Sequence, residues 1–426
     1  MKIIEGFPAA KRALSRQKPI QESPGVSENE QTVKGIIDDV RRRGDAALFE
    51  YTEKFDGARL TSLAVNKRQI SSAYRKVDAE LVSALKLAAG RIRSFHAAQK
   101  KAIWHELKQP GLSQAIRPLE RAGVYVPGGR AFYPSTVLMT AIPGKVAGVK
   151  EIIMTTPPRR DGTIHPLTLV AADIAEVDRV FAVGGAQAIA ALAYGTDTIP
   201  QVDKICGPGN IFVMLAKKAV YGTVAIDGLQ GPSEVMIIAD ETTNPEYCAA
   251  DLLAQAEHDP LASAILVTTS RRQADEVKRA VKRQLDSLPR QSIATESLES
   301  GGLIAVVASL DEAIELANLF APEHLCLMVD EAASYVNRVR NAGCIVIGKN
   351  ATVVLGDYVA GPSHALPTEG TARFSSPLNV ADFIKFINVI SLDETDLKKL
   401  GPVAMALARA EGLEAHARAV EKRLKA

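Results

Sequence analysis

Histidine is scarce in this chain of 426 residues, with seven copies, and its placement gives the first indication of chemistry. An imidazole can act as a general base near neutral pH and can bind a metal ion. Four histidines in the second half stand in polar segments close to glycine or proline: His258, His324, His364 and His416. The other three, His96, His105 and His165, lie in charged or helical sequence without evident partners, so we interpret them as surface or packing residues.

The segment LLAQAEHDP offers a pair of metal-binding groups near the end of a predicted helix. Gln255 and His258 are three positions apart, so they share one helix face and can reach a common point. A neutral imidazole and an amide oxygen can hold zinc when further ligands come from elsewhere. An ordinary polar helix end before Pro260 gives the same pattern, and this pair alone does not separate the two interpretations.

The segment APEH places a carboxylate beside an imidazole, directly before a predicted strand over residues 325–329. Loops next to the strands of α/β proteins often carry catalytic groups. Because adjacent side chains are expected to diverge, Glu323 and His324 suit two separate steps better than one proton relay. The alternative is structural, with His324 as the cation at the end of the preceding helix.

Two further segments carry candidate groups in irregular sequence. GDYVAGPSHALPT is a long glycine- and proline-containing loop with Asp357 and His364, and such loops in a compact domain are often functional. EGLEAH opens the last predicted helix with Glu411 and His416. Taken singly, Asp357 also fits a turn-stabilising role, and His416 also fits an ordinary surface position.

Two glycine-containing turns each follow a predicted strand and precede a predicted helix: VGGAQ, which contains Gln187, and CGPGN, which contains Asn210. Backbone N–H groups at such a helix start can hold a phosphate. Neither turn has the GxGxxG fingerprint, so tight strand–helix packing and dinucleotide binding fit the spacing equally. Cys206 has neither Lys nor His beside it in sequence to activate the thiol, so we do not assign it as a nucleophile.

The elements that must position these groups alternate between short β-branched runs and helical segments, which is typical of βαβ units with a parallel sheet. The alternation occurs in two blocks that meet near residues 225–235. We predict an α/β fold with two incomplete, parallel-sheet Rossmann-like domains and helical N- and C-terminal extensions. The predicted units are a helical N-terminal region (1–109), a first Rossmann-like domain (110–229), a second Rossmann-like domain (230–375) and a C-terminal helical tail (376–426).

Composition restricts the class of partner. The 51 Lys and Arg residues against 49 Asp and Glu give a formal charge of +2, which provides no electrostatic basis for binding nucleic acid or a membrane surface. The four cysteines lack CxxC spacing, which argues against a disulfide framework or a thiolate zinc site. Because we find no apolar signal core, and the longest apolar stretch (181–194) is too short to span a bilayer, we expect a cytoplasmic protein.

Several segments, taken together and in order, resemble the histidinol dehydrogenase family: VYVPGG, STVLM, VGGAQAIAALAYG, CGPGN, DGLQGPSEV, LLAQAEHDP, APEHL, GDYVAGPSHALPT and EGLEAHARAV. The resemblance extends from about Gly123 to the C-terminus, and this series is far more specific than any one motif. It implies oxidation of L-histidinol to L-histidine through L-histidinaldehyde, with two NAD per turnover, as the last steps of histidine biosynthesis.

The resemblance also implies roles for individual residues. Glu323 and His324 match the acid–base pair of the family. One zinc ion per subunit, which orients the substrate, would be bound by Gln255, His258, Asp357 and His416. The substrate-binding positions would be Ser233, Gln255, His258, His324, Asp357, His364, Glu411 and His416. The positions that match NAD contacts are Tyr125, Gln187 and Asn210.

In the family, the active sites are shared between the two subunits of a homodimer. The resemblance therefore implies that the first Rossmann-like domain binds NAD and that the second carries the zinc and catalytic residues. Glu411 and His416 in the tail would complete the site of the partner subunit. The sequence alone does not distinguish NAD from NADP.

Three other functions stay open at this stage. A zinc hydrolase would use Glu323 or His324 on a metal-bound water and would turn over without nucleotide. A relative that acts on another small alcohol, such as a sulfonated diol, would not need residues that contact the imidazole ring of the substrate. The presence of His364 and Glu411 therefore favours histidinol. A non-catalytic nucleotide-binding or scaffold protein would need neither the acid–base pair nor a complete ligand set.

Overall fold

Two parallel β-sheets form the centre of the computed structural model, which describes residues 1–15, 26–128 and 132–425. Gly129, which follows the proline and first glycine of the VYVPGG segment, lies outside the described residues. The strands, in chain order, are β1 (Lys2–Glu5), β2 (Lys108–Gln109), β3 (Leu112–Pro118), β4 (Arg121–Tyr125), β5 (Glu151–Thr156), β6 (Arg179–Ala182), β7 (Lys204–Cys206), β8 (Ala225–Ile226), β9 (Glu234–Ala239), β10 (Ser263–Thr268), β11 (Gly302–Val306), β12 (His324–Met328), β13 (Cys344–Ile347) and β14 (Ile384–Ile390).

Helices connect the strands and cover the sheets. In chain order they are α1 (Phe7–Leu14), α2 (Val26–Arg43), α3 (Asp45–Asp56), α4 (Lys67–Tyr74), α5 (Ala79–Ile103), α6 (Pro134–Ala147), α7 (Pro166–Ile174), α8 (Gly185–Tyr194), α9 (Ile211–Val220), α10 (Pro245–Ala256), α11 (Arg271–Leu285), α12 (Gln291–Ser300), α13 (Leu310–Phe320), α14 (Val353–Tyr358), α15 (Glu394–Ala410) and α16 (Glu414–Leu424). Several begin at a residue suited to capping: Asn210 caps α9, and Asn244 caps α10 before Pro245.

The two parallel sheets share one strand arrangement. The first has the order β6-β5-β4-β7-β8, and the second has the order β1-β11-β10-β9-β12-β13. If β1 is set aside, the strand that comes first in the chain lies in the middle of each sheet: β4 in the first sheet and β9 in the second. The later strands lie on either side of it. The strand order reverses beside this central strand, between β4 and β7 and again between β9 and β12. The predicted α/β fold with two parallel Rossmann-like sheets is confirmed.

The core lies on both faces of each sheet. Along β5, Ile152 and Met154 belong to one buried cluster and Ile153 to another. Along β9, Ile237 and Ile238 likewise belong to two different buried clusters. Successive side chains of a strand point to opposite faces, so a strand covered by helices on both sides must be apolar throughout. This explains why the sequence shows continuous apolar runs here.

Both extensions are mainly helical, as predicted, and each also contributes a strand that the sequence pattern did not reveal. The N-terminal β1 pairs parallel with β11 at the edge of the second sheet. In the C-terminal part, β14 pairs antiparallel with β3 in a small third sheet, where Phe386 lies opposite Ile116. The domain boundaries remain a prediction. No helix among the described residues is both long enough and apolar enough to cross a membrane.

Candidate active site

A cavity of about 620 Å³ lies where the two parallel sheets face each other, and most of the predicted site residues line it. Its walls follow the carboxyl ends of β4 and β7 on one side and the amino ends of β9 and β12 on the other. The predicted residues that line it are Asn210, Ser233, Gln255, His258, Glu323, His324, Asp357 and His364.

The predicted acid–base pair lies at the amino end of a strand, whereas α/β sheets usually bind ligands at the carboxyl ends. Glu323 directly precedes β12, and His324 is the first residue of this strand, in register with Val235 of β9. Ser233 directly precedes β9. The neighbouring strands β9 and β12 therefore start close together, and Ser233, Glu323 and His324 line the cavity at this edge of the sheet.

The Glu323 carboxylate is buried and is held by the backbone of the neighbouring strand. Its Oε2 accepts a hydrogen bond of 2.8 Å from the N–H of Glu234, and its Oε1 lies 3.8 Å from Nε2 of His324. The two side chains thus approach each other instead of diverging as expected, because Glu323 precedes the strand and need not follow its alternation. Burial raises the pKa of Glu323 well above its usual range, and the Glu234 and Asp357 carboxylates raise it further.

His324 is a buried imidazole in the cavity wall. Its Nε2 also lies 3.7 Å from Oδ1 of Asp357, and its Nδ1 is buried without a hydrogen-bond partner among the described residues. Burial, together with His364 and His258, lowers the pKa of His324 to about 3. The ring is therefore neutral at physiological pH and can accept a proton.

His364 is held in one tautomer by two hydrogen bonds. Its Nδ1 lies 2.8 Å from the backbone oxygen of Asp357, which can only accept, so Nδ1 carries the hydrogen. Desolvation lowers the pKa of His364 to about 4, so the ring is neutral and Nε2 accepts from the Thr136 hydroxyl at 3.2 Å. Thr136, on α6, is a site residue that sequence reasoning missed, because no chemical motif marks it.

Gln255 and His258 lie together at the end of α10. Gln255 is buried in the last helical turn, while His258 follows the helix and is exposed where it lines the cavity. Burial raises the pKa of the nearby Asp357 carboxyl to about 7. An amide, an imidazole and a carboxylate suit zinc but do not complete a four-ligand set. Within the described residues, no three His, Cys, Asp or Glu side chains are grouped to hold a metal.

The three predicted NAD contacts lie in the first Rossmann-like sheet or directly after it. Asn210 accepts hydrogen bonds from the first turn of α9 and lines the cavity. Tyr125 is buried at the end of β4, and its hydroxyl accepts a hydrogen bond of 3.1 Å from the N–H of Gly185. Gln187 is buried in α8, and its Oε1 has no hydrogen-bond partner within the part of the chain that the structure describes. Tyr125 and Gln187 are not among the residues that line the cavity.

The two predicted tail residues lie apart from this cluster. Glu411 ends α15, His416 lies in α16, and both are exposed. Neither lines the cavity. Within one chain, the structure therefore does not bring His416 together with Gln255 and His258.

Cys206 does not have the environment of a nucleophile. The residue is completely buried in β7. Burial raises the pKa of its thiol well above the usual range, and Asp227 raises it further. A reactive cysteine needs an accessible thiolate, so this finding agrees with leaving Cys206 out of the chemistry.

Comparisons with known proteins agree over the whole chain. The sequence model of the family described as "Histidinol dehydrogenase" matches residues 21–424. A histidinol dehydrogenase of Dehalococcoides mccartyi is 57% identical over 100% of both chains, and one of Clostridium acetobutylicum is 50% identical over 92% of each. The crystal structure of histidinol dehydrogenase from Elizabethkingia anophelis superposes with a TM-score of 0.93 at 38% identity, covering 100% of this chain and 98% of the other. The chain therefore belongs to the histidinol dehydrogenase family.

Proposed function

We propose that this protein oxidises L-histidinol to L-histidine through L-histidinaldehyde, with two NAD per turnover, in the last steps of histidine biosynthesis. One observation carries the proposal. The neutral imidazole of His324, the carboxyl group of Glu323 and three side chains that could bind zinc line one cavity, as does Asn210 of the first sheet. A four-electron oxidation needs these groups for two hydride removals and one addition of water.

His324 serves as the base in both oxidation steps. Its neutral ring can take the hydroxyl proton of the alcohol, and bound NAD would supply the acceptor for the carbon-bound hydrogen as hydride. The same ring can act again on the hydrated aldehyde. Its Nε2 lies 3.8 Å from Oε1 of Glu323 and 3.7 Å from Oδ1 of Asp357, and an ionised carboxylate at either position would stabilise the imidazolium that forms.

Glu323 serves in the hydration of the aldehyde between the two oxidations. Its Oε2 is held by the Glu234 N–H, while Oε1 stays on the side of His324. A carboxylate placed there can take a proton from water as the water oxygen adds to the carbonyl carbon. Because burial raises the pKa of Glu323, it is a stronger base once ionised than an exposed carboxylate.

Gln255, His258 and Asp357 would hold zinc together with His416 of the partner subunit. Their amide, imidazole and carboxylate donors are of the types that zinc accepts, and one more imidazole would complete the four protein ligands that the family resemblance implies. Bound zinc would orient the substrate nitrogens and stabilise charge, since it has no redox chemistry of its own.

A homodimer with shared sites is supported by the apolar surface of the C-terminal part. Helix α15 packs mainly against α16, so the tail is left largely uncovered by its own chain. Large apolar side chains exposed on this part are Phe374, Phe386, Ile390, Val403 and Leu407. A cluster of exposed apolar residues of this kind usually marks an interface, and a second copy would bury it.

Replacing His324 by Ala should reduce the rate of histidinol-dependent NAD reduction by roughly 10²–10⁴, the usual scale for a general base. Zinc should stay bound, because His324 is not assigned as a ligand. The measurement is NADH absorbance together with metal analysis. His105→Ala, at an exposed histidine outside the cavity, is the matched control and should keep full activity. Loss of zinc from the His324 variant would show that the residue is misassigned, and turnover of an ester or amide without nucleotide would favour a hydrolase.

Replacing Glu323 by Gln should impair use of the aldehyde more than oxidation of the alcohol. The amide oxygen can still accept the Glu234 N–H, so the geometry is kept while the base is lost. Rates are measured with histidinol in a single turnover and with histidinaldehyde as substrate. An equal loss in both would contradict a specific role in hydration.

Mixed dimers of His324→Ala and His416→Ala chains should recover activity that neither variant has alone. With shared sites, each mixed dimer has one of its two sites intact, so the isolated mixed dimer should have about half of the wild-type activity and a random mixture about a quarter. Co-expression with two affinity tags, followed by tandem purification, isolates the mixed species. If each chain instead supplied its own His416, no site in the mixed dimer would be complete and activity would stay at the level of the single variants.

A further inference from the structure

A buried lysine outside the predicted site connects two walls of the cavity. Lys217, on α9, is 1% exposed. Its Nζ donates to the backbone oxygen of Gly207 at 3.0 Å and to Oδ1 of Asp227 at 2.5 Å. A third hydrogen bond of 2.8 Å reaches Oε1 of Gln230. All three hydrogens of the ammonium group are therefore used, each on a different residue.

The first of these partners belongs to the nucleotide side of the cavity. Residues 207–210, here called the GPGN turn, follow β7 and end at Asn210, which caps α9. The N–H of Gly207 donates to Oδ2 of Asp227 at 2.7 Å, so Asp227 and Lys217 together hold both backbone groups of this residue. Gly207 has φ +113°, and a Cβ atom there would come within 2.1 Å of the backbone oxygen of Tyr125. The start of the turn is thus fixed against β4.

The other partners belong to the substrate side. Residues 227–233, here called the inter-sheet segment, connect β8 of the first sheet with β9 of the second. Gln230 and Ser233 line the cavity on this segment, while Asp227 and Lys217 do not line it. The ammonium group therefore contacts the nucleotide-side turn and the substrate-side segment at once, from behind the cavity.

A gain in the free energy of unfolding does not by itself explain why these two charged residues are buried together. Removing two charges from water costs about as much as their attraction returns, so a buried ion pair often adds nothing to the free energy of unfolding compared with apolar residues. The geometry of the pair, in contrast, specifies the distance between the segments that it joins. A shift of about 1 Å in a positioned group can reduce an enzyme's efficiency by about 10²-fold.

We propose that Lys217 and Asp227 are positioning residues that hold the GPGN turn and the inter-sheet segment at a fixed separation, so that NAD and the substrate alcohol meet in reacting geometry. This inference rests on the proposed function. Neither residue touches the reactants, and both act through Gly207 and Gln230.

The test compares a neutral double variant with a matched control in the full-length, zinc-loaded protein. Lys217→Met combined with Asp227→Asn removes both charges together, so no unpaired charge stays buried. It should lower kcat/KM for NAD and for histidinol by about 10- to 100-fold. Hydrogen exchange of the amides in residues 207–210 and 227–233 should become faster.

The control is a second ion pair, formed by a buried lysine of β7 and a half-buried aspartate. Lys204, 8% exposed at the start of β7, lies 2.7 Å from Oδ1 of Asp382. Lys204→Met combined with Asp382→Asn makes the same chemical change away from the cavity. It should alter the melting temperature to a similar degree while leaving both kcat/KM values within about twofold of wild type.

Two results would overturn the proposal. One is a folded Lys217/Asp227 variant with unchanged kcat/KM values and unchanged exchange in the two segments. The other is an equal fall of kcat/KM in the Lys204/Asp382 control, since the effect would then be general destabilisation. Should the first variant fail to fold, Gln230→Ala removes only the 2.8 Å hydrogen bond from Lys217 and keeps the ion pair. Unchanged exchange in residues 230–233 would then overturn the proposal.

If the wild type does not oxidise histidinol, the proposed function fails, while the exchange comparison still decides the positioning role.

Discussion

The pairing of β9 with β12 in the second sheet is the constraint on which the site depends. Because His324 lies opposite Val235, Glu323 falls beside Glu234 at the start of β9, one residue from Ser233. The same pairing places the Glu234 N–H where it can hold the Glu323 carboxylate. A slip in register would separate the acid–base pair from Ser233 and from the end of α10. The arrangement of the proposed acid–base pair is therefore set by strand pairing and the Glu234 N–H hydrogen bond more than by contacts between the two side chains.

The cavity combines opposite edges of two similar sheets. The first sheet contributes its carboxyl edge, where glycine-containing turns and helix starts suit a nucleotide. The second contributes its amino edge, which carries the acid–base pair and the zinc-type donors. Burial at this junction shifts two pKa values in opposite directions: it lowers the pKa of His324, which keeps the ring neutral, and raises the pKa of Glu323, which favours its protonated form. The hydrophobic packing of both sheets shields these polar groups from most of the surrounding water.

Sequence reasoning succeeded where one local pattern determined the structure. The apolar runs at β5, β7, β9 and β10 are buried on both faces, so their composition alone identified them. It failed at β14, because this strand is mostly exposed beyond Ile384 and its apolar residues show no inward-facing alternation. The place of the catalytic pair at an amino edge, the role of Thr136 and the Lys217 network depend on contacts between distant segments, which no local pattern encodes. The predicted roles of Glu411 and His416 came from the family resemblance, since in one chain both are exposed and separate from the cavity.

The central claim is a four-electron oxidation at a site that needs one zinc per chain. The most direct measurement is the amount of NADH formed per histidinol consumed, combined with the zinc content of the same preparation and repeated after chelation. The proposed function predicts two NADH per histidinol, one zinc per chain, and loss of the reaction when zinc is removed. A ratio of one, or full activity in zinc-free protein, would contradict it.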